Sequence, residues 1–286
     1  MTQAIREDHE TCKVPWEHVR IPPFSQVALR VLQLASQENV QLNQLSTLIA
    51  SDPAFSSEVL MIVNSLLYAP RFPINSIVQA IAVMGAGHLQ GVCLAVGMRG
   101  FLRGAINEPL VRSMWRHSLA CATIAEQLGS AGFIDRDAAF SCGIMHDIGR
   151  LAIAFLRWKD YAGLIQSRQC TPSEMVALER ETFGKDHCEI GGDIVHEWKL
   201  PGEFEAIVRH HHDFVKPGAC WGMHELIRAS CRLAVAAGFP SFPGCQVPPF
   251  EVLLEELPQR ERRQFFGEVE SLQAEIGRKI AAVEAL

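Results

Sequence analysis

From Phe24 to about Ala105 the apolar residues return at helical spacing, with Val27, Val31, Leu34 and Ala35, then Leu42, Leu45, Leu48 and Ile49, then Phe55, Val59, Ile62 and Val63. Alternation at period two is rare, so this part of the chain predicts a bundle of short helices. Asp52-Pro53 marks one helix start, because the aspartate accepts from free amides while proline loses no bond in the first turn. Asn75-Ser76 opens another helix, and Gly85 closes it. A longer helix begins near Pro109 and runs through Trp115, His117, Cys121, Ile124, Ala125 and Leu128 to Gly129. Asp135 caps the next, which reaches Met145, and Leu151 to Trp158 is helical again after Gly149. Thr171-Pro172-Ser173-Glu174 opens a further helix. The four prolines between Phe239 and Phe250 predict a loop over the surface. Glu251 to Leu286 returns to charged amphipathic helix. Together these elements predict an all-α, two-lobed protein.

Composition narrows the classes of function. With 48% hydrophobic and 20% charged residues, the chain has enough apolar matter for a large core. A net charge of −6 argues against broad capture of nucleic acid or of an anionic membrane, and no basic recognition helix is visible. Nine cysteines are scattered without a Cys-x-x-Cys pair, which predicts reduced thiols and a cytoplasmic protein. The first residues are polar, and apolar runs such as Gly91 to Met98 are too short to span a bilayer. Neither export nor a transmembrane helix is expected.

Candidate chemistry lies in the histidines. Eight of the eleven fall between His117 and His224. His117 lies within a helix, His146-Asp147 sits at a helix end, His187 lies in a further helix, and His210-His211-His212-Asp213 forms a run. Imidazole nitrogen with carboxylate oxygen suits a borderline or hard divalent metal, and an open position on such a metal acidifies water for attack on phosphate. The alternative for the same residues is a set of buried polar groups that satisfy one another. Asn64 is read as a buried amide tying backbone groups of neighbouring segments together, and Trp115 and Trp198 as core. Phe265-Phe266 is a candidate docking or partner contact. His88, His196 and His224 are read as ordinary histidines.

The segment Gly143-Ile144-Met145-His146-Asp147-Ile148-Gly149-Arg150 resembles the central motif of the HD superfamily of metal-dependent phosphohydrolases. By that resemblance His117, in Trp115-Arg116-His117-Ser118, takes the first ligand position, and His187, His211 and His212 match additional ligands of the HD-GYP branch. Two departures stand out. In Ile227-Arg228-Ala229-Ser230-Cys231-Arg232-Leu233-Ala234, Cys231 stands where the superfamily has its late aspartate. Asp213-Phe214-Val215-Lys216-Pro217-Gly218 stands in place of the Gly-Tyr-Pro signature. Ile21-Pro22-Pro23-Phe24, Ser51-Asp52-Pro53-Ala54-Phe55, Val63-Asn64-Ser65 and Ile77-Val78-Gln79-Ala80-Ile81 resemble the ordered motifs of the HDOD family, an HD-related output domain of bacterial signalling proteins.

That resemblance implies a polar tail over 1–14, an HDOD domain over 15–215 with lobes at 15–106 and 107–215, and a helical extension over 216–286 packing on the second lobe. It also implies a non-catalytic regulatory module acting through protein contacts, with receiver, kinase or cyclic-dinucleotide proteins as partners and no direct contact with nucleic acid or membrane. No cofactor is expected on this reading. The alternatives are a phosphohydrolase holding iron, manganese or zinc on His117, His146, Asp147, His187, His211 and His212, and a sensor that binds a nucleotide without cleaving it.

Overall fold

The computed structural model describes residues 16, 19–35, 41–65, 70–132, 134–165, 169–213, 220–264 and 269–285. Phe265-Phe266, the segment 214–218 and the tail over 1–14 lie outside the described residues. Among those described, the chain forms sixteen helices and no strand beyond one isolated bridge between Cys170 and Cys245.

The first lobe holds α1 (Gln26–Ala35), α2 (Leu42–Ala50), α3 (Pro53–Val63), α4 (Ile77–Met84) and α5 (Ala86–Phe101). The predicted starts are present: Asp52 accepts from the Phe55 amide with Pro53 in the first turn, and Ser76 accepts from the Gln79 amide. Gly85, at φ 84°, ends α4 in a conformation that a side chain would disfavour. Asn64 ties backbone together as expected, its amide exchanging bonds of 2.7 Å with both the nitrogen and the oxygen of Ile74. It does so from an exposed position, closing the loop between α3 and α4 from outside.

The second lobe is organised on α6 (Pro109–Ala131), against which α7 (Arg136–Met145), α8 (Ile148–Leu156) and α13 (Met223–Ala236) pack. The connecting helices are α9 (Trp158–Ile165), α10 (Pro172–Phe183), α11 (His187–Glu197) and α12 (Gly202–His210). Thr171 and Glu174 form the reciprocal cap that their spacing predicts. The charged C-terminal stretch divides into α14 (Phe250–Glu256), α15 (Gln259–Gln264) and α16 (Val269–Glu284). α16 returns to α6, where Lys279 pairs with Glu126, Arg116 forks onto Glu284 at 2.7 and 2.8 Å, and Gln127 bonds Glu275 at 2.7 Å.

Trp115 is buried in the core of α6, while Trp198 stacks on Phe24 at 4.6 Å and meets Phe101 edge-on at 5.4 Å. The second tryptophan thereby joins the α11 end to the first lobe, and neither ring is offered to a nucleotide. Among the described residues, Arg136–Leu156 is long and apolar enough to span a bilayer by composition, but it is 89% buried. The turn at His146-Asp147 splits it into α7 and α8.

Two glycines permit the helix contacts that build the site. A Cβ on Gly143 would lie 2.5 Å from the Ala122 Cα, so α7 rests directly on α6. A Cβ on Gly149 would lie 1.9 Å from the His187 carbonyl oxygen and 2.5 Å from the Gly191 nitrogen, so α8 meets α11 backbone to backbone. Gly149→Ala is therefore expected to cost about 2–3 kcal/mol, since the clashing atoms are main chain and cannot rotate away. Gly163→Ala, on an exposed stretch of α9 with open space around it, should be neutral or slightly stabilising. Urea denaturation of the two variants side by side checks both; equal midpoints would refute the contact.

Candidate metal centre and buried ion network

The first-lobe motifs do not enter the site; it is assembled by α6, the α7–α8 turn and the first turn of α8, the middle of α9, the second half of α10, the start of α11, the end of α12 and the middle of α13. His117 projects from α6, and its Nδ1 donates to the Phe239 carbonyl at 2.7 Å. His146 caps α7 and donates from Nδ1 to the Gly143 carbonyl at 2.7 Å, as His211 does to the Val208 carbonyl at 3.0 Å. A carbonyl can only accept, so each bond places a proton on Nδ1 and leaves Nε2 facing inward. The Nε2 atoms of His146, His211 and His212 are buried and have no hydrogen-bond partner. Burial, reinforced by neighbouring imidazoles, lowers the basicity of all four histidines, His117 to about 4.

The stretch read as a surface loop contributes to this interior. Phe239 supplies the carbonyl that orients His117, and Phe242 is completely buried beneath the Arg150 guanidinium, 5.3 Å from its ring. Prolines prevent regular structure there without keeping the segment on the outside.

Arg150, a residue within the His-Asp segment that residue-type reasoning passes over, dominates the other half of the site. It is 0% exposed. Its Nε donates to both Asp147 oxygens at 3.1 and 3.0 Å, and Nη1 reaches Glu179 at 2.8 Å and Tyr161 at 2.7 Å. Tyr161 donates to Glu179 at 2.8 Å. His187 is the first residue of α11, and both its ring nitrogens face carboxylates, Nδ1 on Glu179 at 2.5 Å and Nε2 toward Asp147 at 3.3 Å. Arg150 Nη2 lies 2.9 and 3.0 Å from the two nitrogens.

The electrostatics of the network close on themselves. Burial opposes ionisation of Asp147 and Glu179, but Arg150 and His187 reverse this and hold both carboxyls below their ordinary range. Burial and Arg150 push His187 down, while Cys188, Glu179 and Asp147 more than offset them and raise it to about 10. Two carboxylates thus face the Arg150 guanidinium and the His187 ring, and each carboxylate is matched within the network.

All six sequence-predicted ligands, His117, His146, Asp147, His187, His211 and His212, converge in one region, but not as one shell. Donor atoms of His117, His146 and Cys231 lie within 4.8 Å of one another, as do those of His146, Asp147 and His211, and those of His187, Cys188, His211 and His212. A two-metal hydrolase arrangement does not fit these residues. The carboxylate that would join the metals, Asp147, is engaged on both oxygens by a guanidinium, the late carboxylate is a thiol, and His187 is paired with Glu179 and Asp147. The group of His117, His146 and Cys231 does fit a metal: two imidazoles oriented through Nδ1, a thiol 3.5 Å from His117 Nε2, and an orphaned Nε2 on His146.

His88 lies beside Asp137 at 3.3 Å and Glu126 at 3.5 Å, but Arg136 and Lys279 already match those carboxylates. Glu179 and Tyr161 carried no signal in the sequence, since a single glutamate in α10 looks like any helical charge. Arg150 had one: it follows Asp147 by three residues, the spacing that places an acid and a base on one face across a turn.

The helical lobes and the order of His117, His146-Asp147 and the later histidines define an HD-type domain. The model of the HDOD domain matches residues 21–214, and the chain belongs to the HDOD family. An HDOD domain protein of unknown function from Geobacter sulfurreducens shares the fold with a TM-score of 0.76, at 24% identity and with 93% of each chain covered. A protein from Marinobacter aquaeolei VT8, provisionally named a signal transduction protein, aligns with a TM-score of 0.71 at 17% identity, over 92% of this chain and 60% of that one. An uncharacterized protein of Treponema pallidum (strain Nichols) is 24% identical over 197 residues, 68% of this chain. The match spans only 38% of that relative's length.

Proposed function

We propose that this chain is a non-catalytic regulatory module of bacterial signal transduction, cytoplasmic, and working through protein–protein contacts. The observation that carries the reading is the Arg150 guanidinium on Asp147, with Cys231 at the late acidic position. A hydrolytic metal pair needs oxygen donors free to bridge and an open position for water, and this chain spends its central carboxylate on an internal cation instead. The name of the Marinobacter protein is in keeping with a signalling role. In this reading 15–215 form the HDOD unit with lobes at 15–106 and 107–215, and 216–286 form an extension. The ties from α16 to α6 support docking of that extension on the second lobe.

The first lobe offers a surface for partners. Met61 and Val78 are exposed beside a groove of about 870 Å³ between α3 and α4, and Leu42, Phe72 and Val83 are exposed nearby in the chain. Receiver, kinase or cyclic-dinucleotide proteins are the partners this reading expects.

One observation favours a second reading, a metal-dependent phosphohydrolase: the orphaned Nε2 atoms of His146, His211 and His212. The test is turnover of a phosphomonoester and of cyclic dinucleotides by protein loaded in turn with manganese, iron and zinc. No turnover above free metal is expected. Turnover that disappears in His146→Ala would refute the regulatory reading.

A further inference from the structure

We propose that His117, His146 and Cys231 form a thiolate-containing site for a single divalent metal of the zinc class, which pins α6, α7 and α13 together and does not activate water. The inference deepens the non-catalytic reading and rests on it.

The geometry is that of ligands set in advance. His117 and His146 each commit Nδ1 to a backbone carbonyl at 2.7 Å, the outer bond that fixes ring orientation in metal-bound histidine. One nitrogen of each ring and the Cys231 sulfur lie within 4.8 Å of one another, and His117 Nε2 is 3.5 Å from that sulfur. Tetrahedral zinc with bonds of about 2.1 Å to nitrogen and 2.3 Å to sulfur sets neighbouring donors roughly 3.6 Å apart, so a small inward movement completes the group. The second, independent observation is His146 itself. The residue is 0% exposed, and its Nε2 has no partner although every other polar contact of the ring is made. An unmet buried acceptor is destabilising, and a metal removes that cost.

The donor chemistry selects the metal. Two imidazoles and one thiolate favour zinc or cobalt over magnesium and manganese, which prefer oxygen. On binding, the Cys231 thiol loses its proton to solvent as the sulfur–metal bond forms, and both imidazoles bind as neutral ligands. The donor atoms of Asp147 and His211 group with that of His146, both residues being buried. His117 and His146 are 0% exposed and Cys231 is 3% exposed, so the group is closed to a substrate, whereas catalytic zinc keeps an open position.

The test is cobalt(II) titration of the full chain, purified without metal-affinity resin and stripped with chelator. One cobalt per chain is expected, with a sulfur-to-cobalt charge-transfer band in the near ultraviolet, visible bands of tetrahedral intensity, and displacement by zinc. Cys231→Ser should lose the sulfur band and weaken metal binding more than about tenfold, since even outer partners of a ligand cost that much. Cys231→Asp should bind cobalt without the band. Cys188→Ser, which removes the thiol grouped with His187, His211 and His212, should keep it. Melting of the stripped variants alongside stripped wild type shows whether each is folded; should Cys231→Ser fail to fold, Cys231→Asp and Cys188→Ser decide the matter. No bound cobalt, cobalt bound without a sulfur band, or a band surviving in Cys231→Asp would overturn the proposal and leave the regulatory reading standing. Phosphoester turnover by the zinc-loaded protein would overturn the regulatory reading and the claim that the metal does not activate water, while the sulfur band would still report ligation by Cys231.

Discussion

Replacing Arg150 with alanine is expected to destabilise the protein by about 3–5 kcal/mol, the range for breaking a buried ion pair by removing one partner. The variant leaves Asp147 and Glu179 buried with only His187 to neutralise them, and it strips Tyr161 of one of its two hydrogen-bond partners. A large fraction of the stability of an ordinary domain would go with one side chain. The loss should be strongly non-additive. In Arg150→Ala combined with Glu179→Gln, one orphaned charge is removed together with its partner, and the double variant should be about 1–3 kcal/mol more stable than the sum of the single effects predicts. Arg150→Lys should recover only part of the loss, because an ammonium cannot span both Asp147 oxygens and Glu179 from one planar group. Urea denaturation of wild type, both single variants, the double variant and Arg150→Lys measures these differences. Arg150→Ala within about 1 kcal/mol of wild type would show that the network contributes little.

Acidification is the second large effect. His117, His146, His211 and His212 are neutral in the folded protein because burial lowers their pKa, whereas in the unfolded chain they bind protons near pH 6.5. Below pH 6.5 the unfolded state therefore binds more protons, and stability falls with pH by about 1.4 kcal/mol per pH unit for each such histidine. For His117 the fall continues to about pH 4. Asp147 and Glu179, whose pKa values are depressed, add to the loss once pH drops through the ordinary carboxylate range. His187 has the opposite sign. Raised to about 10, its contribution is complete below pH 6.5 and disappears as pH climbs toward 10. The melting temperature of chelator-treated protein should peak near pH 6.5–7, with an acid limb much steeper than the alkaline one. A melting temperature that holds constant from pH 7 to pH 5 would mean that these histidines are not buried and neutral together.

The helices, their caps and the family were legible in order along the chain. Asp52-Pro53, Ser76, Pro109, Asp135 and Thr171-Pro172 each mark a helix start that the structure contains, because capping is a contest between a side chain and the few amides beside it. Apolar periodicity likewise announces an all-helical fold, since a helix with one apolar stripe must bury it. The histidines were legible as candidates because imidazole is a scarce and chemically distinct residue, and Cys231 because it stands at an expected acidic position.

What those residues do together was decided by tertiary structure. Glu179 lies 29 residues beyond Arg150, and Phe239 lies 122 residues beyond His117, so no local pattern pairs them. Gly143 and Gly149 let helix backbones meet closely enough to join these segments, and only then does burial turn Arg150 from a surface cation into the partner of two carboxylates. The sequence by itself determined the secondary structure, the family and the inventory of ligating side chains, because propensity, capping and residue chemistry act within a few positions. Which histidines keep a lone pair, which one holds a proton, and whether Asp147 is free for a metal were settled by packing, because desolvation and charge pairing depend on which distant groups share the same few ångströms of interior.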